Sequence, residues 1–156
     1  MAKFVFKLDG VLRQRSNVEQ QRKRELAVIQ ARMTALEAEL RSVDATVRAA
    51  EEDLRTNRLI GVIDLAFLGA HRRFSLAMQR KAMGIAEKMA GVKLEVDKAK
   101  QKLAEASKRK KILEKLRERN YQRWREDLDR REQAEMDEIA MRLSYANLSD
   151  LGTEVG

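Results

Sequence analysis

The chain has 156 residues, of which 37% are charged and only 4% aromatic, and it contains neither proline nor cysteine. The absence of cysteine excludes a disulfide framework, thiol catalysis and thiolate metal sites, and the composition is typical of long helices rather than a compact multilayer core. The net charge of +8 permits attraction to nucleic acid, anionic lipid or an acidic protein surface without selecting among them.

The N-terminal residues do not read as a targeting segment. Residues 1–7 offer too short an apolar stretch for a signal peptide, and no window of the sequence approaches the ~18 apolar residues of a membrane span. We therefore expect a soluble cytoplasmic protein.

A long helix is predicted over residues 4–57. Apolar residues recur there at alternating spacings of three and four, which is a sustained heptad and predicts left-handed supercoiling against a partner helix. The apolar positions are Leu26, Ile29, Met33, Leu36, Leu40, Val43, Val47, Ala50 and Leu54. Upstream, the same register is continued by three apolar residues and then by three polar ones, where packing is expected to be weaker or exposed: Val5, Leu8 and Leu12, and then Arg15, Glu19 and Arg22.

A turn is predicted over residues 58–63, followed by a second helix over residues 64–143. Gly61 can adopt the left-handed conformation that ends a helix, and Asp64 can cap the next one. The second helix carries a matching seam at three-four spacing, interrupted only by Lys110. Its apolar positions are Met78, Ala82, Ile85, Met89, Val92, Val96, Ala99, Leu103, Ala106 and Leu113.

Reversal of the chain near Gly61 lays one seam on the other. This predicts an all-α fold, a long antiparallel two-helix coiled coil whose helices measure about 80 Å and 120 Å at ~1.5 Å rise per residue, with the second helix overhanging the N-terminus. The hairpin occupies residues 1–145, and residues 146–156 are expected to form a disordered tail. Beyond about residue 118 the second helix has no partner within the hairpin, although apolar side chains continue: Tyr121, Trp124, Leu128, Met136, Ile139 and Leu143.

No residue pattern supports catalysis, a metal site or a cofactor, so we do not expect an enzyme. The single histidine, His71, has no second histidine or cysteine to complete a metal site, and a packing or surface role is expected for it. Acidic pairs such as Glu51 and Glu52 lie among basic residues on a helix surface, without a pocket that could desolvate them. No phosphate-binding glycine loop or nucleophile motif is present.

Two surface features leave alternatives open. The basic segment 108–125 could attract nucleic acid, but acidic residues are interleaved and no base-reading set precedes a parallel zipper, so a solvated face is favoured. Near the turn, an apolar cluster either closes the turn as a small local core or offers a docking patch for another protein. Its members are Leu59, Ile60, Val62, Ile63, Leu65, Phe67, Leu68, Phe74 and Met78.

The two ends of the sequence carry recognisable motifs. Residues 4–12 read Phe-Val-Phe-Lys-Leu-Asp-Gly-Val-Leu, and residues 130–140 read Arg-Arg-Glu-Gln-Ala-Glu-Met-Asp-Glu-Ile-Ala. Both segments resemble motifs of the FliJ family, the soluble stalk-like component of the bacterial flagellar protein-export apparatus. Ala134 departs from that pattern, because a lysine is expected at its position in the family.

The resemblance implies a non-catalytic export component, cytoplasmic and held by its partners at the inner membrane of the flagellar base. In the family, the end that bears both termini inserts into the hexameric export ATPase and promotes its assembly and activity. Other surfaces contact the cytoplasmic domain of the export gate and the substrate chaperones. The residues implied in ATPase binding are Phe4, Phe6, Lys7, Arg13, Arg15, Arg130, Arg131, Gln133 and Asp137. Those implied in gate binding are Val47, Leu54, Phe74 and Met78.

Composition and periodicity alone favour a generic coiled-coil adaptor or scaffold, and less strongly a basic coiled coil that binds nucleic acid. The overhanging part of the second helix could also pair with another copy, so a homodimer in isolation is compatible with a monomer inside a ring.

Overall fold

The computed structural model describes residues 3–151, apart from the side chains of Arg58 and of residues 147–151. These residues contain no strand, and two long helices form an antiparallel hairpin, which confirms the predicted all-α fold. The chain divides into two compact units, which are described separately. The terminal unit combines the residues up to Arg15 with those from Lys108 onwards, and the hairpin unit is Ser16–Ser107.

Helix α1 spans Asp9–Asp53 and continues into a π-helical turn over Leu54–Arg58. Here the hydroxyl of Thr56 donates to the carbonyl oxygen of Glu52 across 2.7 Å. The α-helical geometry thus ends at Asp53, a few residues before the predicted end at residue 57.

Helix α2 spans Leu65–Leu151 and extends past the predicted end at residue 143. No proline or glycine occurs between that residue and Leu151, so nothing in the local sequence stops the helix earlier. Of the predicted disordered tail, residues up to 151 are helical, whereas residues 152–156 lie outside the described residues.

The start of α1 differs from the prediction because residues 3–8 are not helical. The backbone N–H of Asp9 donates to the carbonyl oxygen of Phe6 across 3.1 Å, which forms a turn before the helix. This turn leaves Phe6 only 7% exposed, whereas Val5 is 75% exposed and Leu8 is also exposed. The predicted upstream seam is therefore wrong at Val5 and Leu8, and Phe6 and Leu12 are the buried apolar residues.

The hairpin unit is held together by the two predicted seams. Every seam residue within Ser16–Ser107 is buried or half-buried, and Val43, Ile85 and Val92 are the most enclosed. Since burying a side chain of this size stabilises by about 1.5–3 kcal/mol, the stability is spread over many similar contributions along the seam. At its edge, Nη1 of Arg32 lies 3.0 Å from Oε2 of Glu95, an exposed ion pair that joins the two helices.

The connection between the helices has the predicted chemistry. Gly61 has a φ of 88°, in the left-handed region that favours glycine. Oδ1 of Asp64 accepts hydrogen bonds from the backbone N–H groups of Ala66 at 2.9 Å and Phe67 at 3.2 Å, and so caps α2. Both predicted roles, at Gly61 and Asp64, are confirmed.

One ion pair within α1 lowers the pKa of a carboxyl group. Arg22 donates to Glu25 across 2.7 Å, and this hydrogen bond holds the pKa of the Glu25 carboxyl below its ordinary value. A carboxyl with a lowered pKa in the folded state contributes stability above its unfolded pKa, and that contribution is lost as the pH falls. Because both side chains remain partly accessible to solvent, 36% exposed at Arg22 and 41% at Glu25, the pair is a minor part of the stability.

Glu19 lies in the seam and is buried, contrary to the expectation that packing would be weaker or exposed there. It is 7% exposed, its Oε1 accepts from the hydroxyl of Ser107 at 2.7 Å, and its Oε2 lies 3.6 Å from Nζ of Lys23. A sliding of the helices would leave this carboxylate against apolar seam residues without its partner from the other helix. Glu19 therefore favours the observed alignment of the two helices over alignments in which one helix is shifted along the other.

Substitution Glu19→Ala is expected to lower the free energy of unfolding by about 1–3 kcal/mol, because the hydroxyl of Ser107 loses its acceptor and a buried volume is left unfilled. Urea unfolding followed by far-ultraviolet circular dichroism measures this difference. The control Glu39→Ala removes an exposed carboxylate from the same helix and is expected to change stability by less than about 0.5 kcal/mol. Equal effects of the two substitutions would contradict the role assigned to Glu19.

Candidate partner-binding surfaces

An aromatic cluster forms the centre of the terminal unit. The ring of Phe4 meets that of Tyr121 edge-on, with centroids 5.4 Å apart, and lies 5.8 Å from the ring of Trp124. Tyr121 and Trp124 also contact each other at 5.8 Å. Such arrangements are favourable beyond simple burial, so this cluster fixes the N-terminal segment against α2.

This cluster corrects the prediction that α2 has no partner beyond about residue 118. The reason lies in the backbone of the N-terminal segment: an extended chain advances up to ~3.3 Å per residue, whereas a helix advances ~1.5 Å. The non-helical segment therefore reaches further along α2 than the predicted helix would. Oδ1 of Asp9, the first residue of α1, lies 3.9 Å from Nη1 of Arg117 on α2. This ion pair is a second contact between the N-terminal residues and α2 within the terminal unit.

The predicted ATPase-binding residues near the N-terminus fall into two groups. Phe6 is buried, and Phe4 and Arg15 are half-buried, so their side chains face the protein itself. Lys7 and Arg13 are exposed. Nη2 of Arg13 lies 3.1 Å from Oδ2 of Asp9, and with its side chain 81% exposed this pairing leaves the guanidinium accessible.

The predicted residues near the C-terminus lie on a segment of α2 whose side chains are exposed. We call residues 129–146 the C-terminal arm, and every side chain in it is exposed. Arg130, Arg131, Gln133 and Asp137 all belong to it. Nη1 of Arg130 comes within 3.9 Å of Asp127, a loose exposed pair.

Large apolar side chains are also exposed on the C-terminal arm. Met136, Ile139 and Leu143 follow each other at spacings of four or three, the same spacing that builds the seams of the hairpin unit, yet each is more than 50% exposed. Most helical stability in proteins comes from tertiary packing of an apolar face rather than from helix propensity. The arm thus has the spacing of a packed helix, although its large apolar side chains are exposed.

The predicted gate-binding residues lie in the hairpin unit and are half-buried. Val47 and Met78 line a groove between the helices, and Phe74 lines a second one, where its ring lies 6.5 Å from that of His71. All four predicted residues, with Leu54 as the fourth, therefore contribute to the packing of the hairpin and offer only their outer edges to a partner.

The apolar cluster near the turn divides into a packed part and an exposed part. Phe67, Leu68, Phe74 and Met78 are half-buried. The exposed members surround the connection between the helices, where Val62 is 98% exposed: Leu59, Ile60, Val62, Ile63 and Leu65. Both alternatives raised by the sequence are thus represented, a local core and an exposed apolar surface.

The described residues contain neither a cluster of side chains that could bind a metal nor a helix that could span a membrane. No group of three or more histidine, cysteine or acidic side chains in this part of the chain is placed to hold a metal ion. Across the same residues, neither helix contains a stretch apolar and long enough to cross a membrane.

Substitution Phe4→Ala is expected to destabilise the terminal unit by about 3 kcal/mol, through lost burial and lost ring contacts. Trp124 is the only tryptophan of the chain, so its fluorescence reports on this cluster directly, and a red shift of the emission is expected. The control Val5→Ala changes a neighbouring residue that is 75% exposed and should leave the emission unchanged. An unshifted spectrum for Phe4→Ala would contradict the described contact.

Comparison with known proteins identifies the family. The family model of the flagellar FliJ protein matches residues 4–149. Neither the curated proteins nor the solved structures contain a significant match. The matched range covers nearly the whole sequence and includes both end motifs. The chain therefore belongs to the FliJ family and is a flagellar export-associated protein.

Proposed function

We propose that this chain is a non-catalytic part of the flagellar export apparatus that binds the hexameric export ATPase through its terminal unit. The observation that carries this proposal is the C-terminal arm, a helical segment whose side chains are all exposed although apolar residues recur along it at seam spacing. A partner protein that surrounds the arm would bury these exposed apolar side chains.

Exposure divides the family-implied residues by role. Six of these residues are exposed and would contact the ATPase directly: Lys7, Arg13, Arg130, Arg131, Gln133 and Asp137. The remaining three, Phe4, Phe6 and Arg15, are buried or half-buried and would act indirectly, by holding the N-terminal segment against α2. This division supports a contact surface that is mainly polar and basic, with apolar anchors on the arm.

The proposed mechanism is mechanical and allosteric. A single helix inside a ring presents different side chains to different subunits, here two adjacent arginines at positions 130–131 and a carboxylate at Asp137. A bound helix can bias a subunit only by as much as its affinity differs between that subunit's conformations. Unequal contacts around the ring would therefore favour unequal subunit states and promote assembly and turnover.

The export gate would be contacted through the hairpin unit. The exposed apolar connection around Val62 lies between the π-helical turn, which contains Leu54, and the first turns of α2, which contain Phe74. With Val47 and Met78 further along the same helices, these residues would form a surface that joins the ATPase to the gate's cytoplasmic domain. Substrate chaperones would share the remaining surface, and these partners together would hold the protein at the cytoplasmic face of the membrane.

The double substitution Arg130→Glu and Arg131→Glu is expected to reduce stimulation of the cognate export ATPase about tenfold, because two cations at the contact become repulsive. ATP hydrolysis is measured with and without the chain, together with hexamer formation by native mass spectrometry. Circular dichroism should show unchanged helicity, since both side chains are exposed.

A matched control carries Lys81→Glu and Lys88→Glu, which reverse two exposed cations of the hairpin unit on the same helix. This variant should stimulate the ATPase like the unaltered chain. Unchanged stimulation by the Arg130 and Arg131 variant, or an equal loss in the control, would contradict ATPase binding through the arm.

A further inference from the structure

A row of cations without acidic partners lies on α2 within the terminal unit. Lys111, Lys115, Arg119 and Arg123 follow each other at spacings of four, all four are exposed, and none forms an ion pair within the described part of the chain. We call these four residues the cationic row. Like charges four residues apart repel along a helix and destabilise it. The row is therefore unfavourable in the free chain and would be favourable against a negatively charged surface.

Acidic residues predominate in the next part of the same helix. Residues 108–119 contain seven basic and two acidic residues, a net charge of +5, whereas residues 126–138 contain seven acidic and two basic residues, a net charge of −5. The two segments have equal and opposite charge. Because they lie one after the other on one continuous helix, they cannot meet within a single copy of the chain.

We propose that a second copy of this chain occupies the cationic row, so that two α2 helices associate in antiparallel orientation. Residues 115–125 of each copy, with five basic and one acidic residue, then face residues 127–137 of the other, with five acidic and two basic residues, and a two-fold axis makes the two contacts equivalent. An axis at Glu126 brings opposite charges together on both sides of it. It places Lys115 opposite Asp137 and Arg123 opposite Asp129.

Apolar residues accompany the charges on both segments. Ile112 and Leu116 are 58% and 37% exposed beside the cationic row, and Met136 is 67% exposed on the arm. The same axis places Leu116 opposite Met136, so an apolar contact lies between the charged ones. This combination of an apolar centre with charged edges is typical of helix pairs, in which edge charges set orientation and partner.

Charge also argues against a nucleic acid or an anionic membrane as the occupant. Either would satisfy the cationic row but would bring its own negative charge close to the acidic segment at residues 126–138. The repulsion there would offset the attraction at the row. A second copy is free of this conflict because it offers one segment of each sign.

The dimer would cover Arg130, Arg131 and Asp137, which are exposed in the single chain. In this respect the inference rests on the proposed function, because those residues are also assigned to ATPase binding. The second copy and the ATPase would then compete for the C-terminal arm, and the free protein would be held in an inactive form until the ATPase displaces one copy.

The test uses two charge-reversed variants of the full chain. The row variant carries Lys115→Glu, Arg119→Glu and Arg123→Glu, and the arm variant carries Asp129→Lys, Glu132→Lys and Asp137→Lys. Sedimentation equilibrium is expected to show a dimer for the unaltered chain, weakened at least tenfold when salt rises from about 0.05 M to about 0.5 M. Each variant alone should be at least tenfold weaker in self-association, because like charges face each other in its dimer.

Mixing the two variants is the decisive step. In a row variant paired with an arm variant, the reversed row faces the reversed arm and the native arm faces the native row, so both contacts are attractive. A heterodimer of about the original affinity is expected, detected by native mass spectrometry of one isotope-labelled variant.

The control variant carries Lys81→Glu, Lys88→Glu and Lys93→Glu, three exposed cations of the hairpin unit, and should still dimerise.

The proposal is overturned by an unaltered chain that stays monomeric at about 100 μM, by a mixture of the two variants that stays monomeric, or by an equal loss of self-association in the control. It is also overturned if duplex DNA or phosphatidylglycerol vesicles bind the row while the chain remains monomeric. Dimerisation without ATPase stimulation would reject the proposed function and leave the dimer standing.

Discussion

The structure depends on the packing of small and medium apolar side chains along a narrow seam, because the sequence contains little else to bury. With four phenylalanines, one tryptophan and two tyrosines, the chain has no material for a multilayer core, and no described side chain is less than 2% exposed. Three-four spacing of aliphatic residues on two helices is the arrangement that uses such a composition well. The polar interruption at Glu19 adds register to this packing, since its partner Ser107 is available in one alignment.

Much of the fold could be predicted because the seam depends on periodicity, which a sequence displays directly. Gly61 and Asp64 could be assigned because a left-handed backbone and a helix cap each require particular residue types. What the pattern missed depends on three-dimensional partners. The heptad register selected Val5 where the turn before α1 buries Phe6. Weaker or exposed packing was expected at Glu19 because it is polar and its hydrogen-bonding partner, Ser107, lies far away in sequence. The cluster of Phe4 with Tyr121 and Trp124 was missed because a helix was assumed where the chain is not helical.

The candidate sites were predictable to a smaller extent, because their residues came from the resemblance of the two ends to one family. Exposure separates the residues able to contact a partner, such as Arg130 and Arg131, from those such as Phe6 that hold the terminal unit together. The separation of charge along α2 is visible in the sequence as a basic segment followed by an acidic one, but the spacing of apolar residues does not reveal it. The proposed ATPase contact and the proposed dimer both use the C-terminal arm, so a single exposed helix would connect assembly of the export machinery with storage of its free component.

The central claim is that the exposed side chains of the C-terminal arm acquire a packing partner in the export ATPase. Hydrogen–deuterium exchange of the dilute full chain, with and without the cognate ATPase, tests it most directly. We predict fast exchange across residues 129–146 in the free chain and strong protection of this segment in the complex, with little change in Ser16–Ser107. Slow exchange of the arm in the free monomer, or protection confined to Ser16–Ser107 on ATPase binding, would contradict the account.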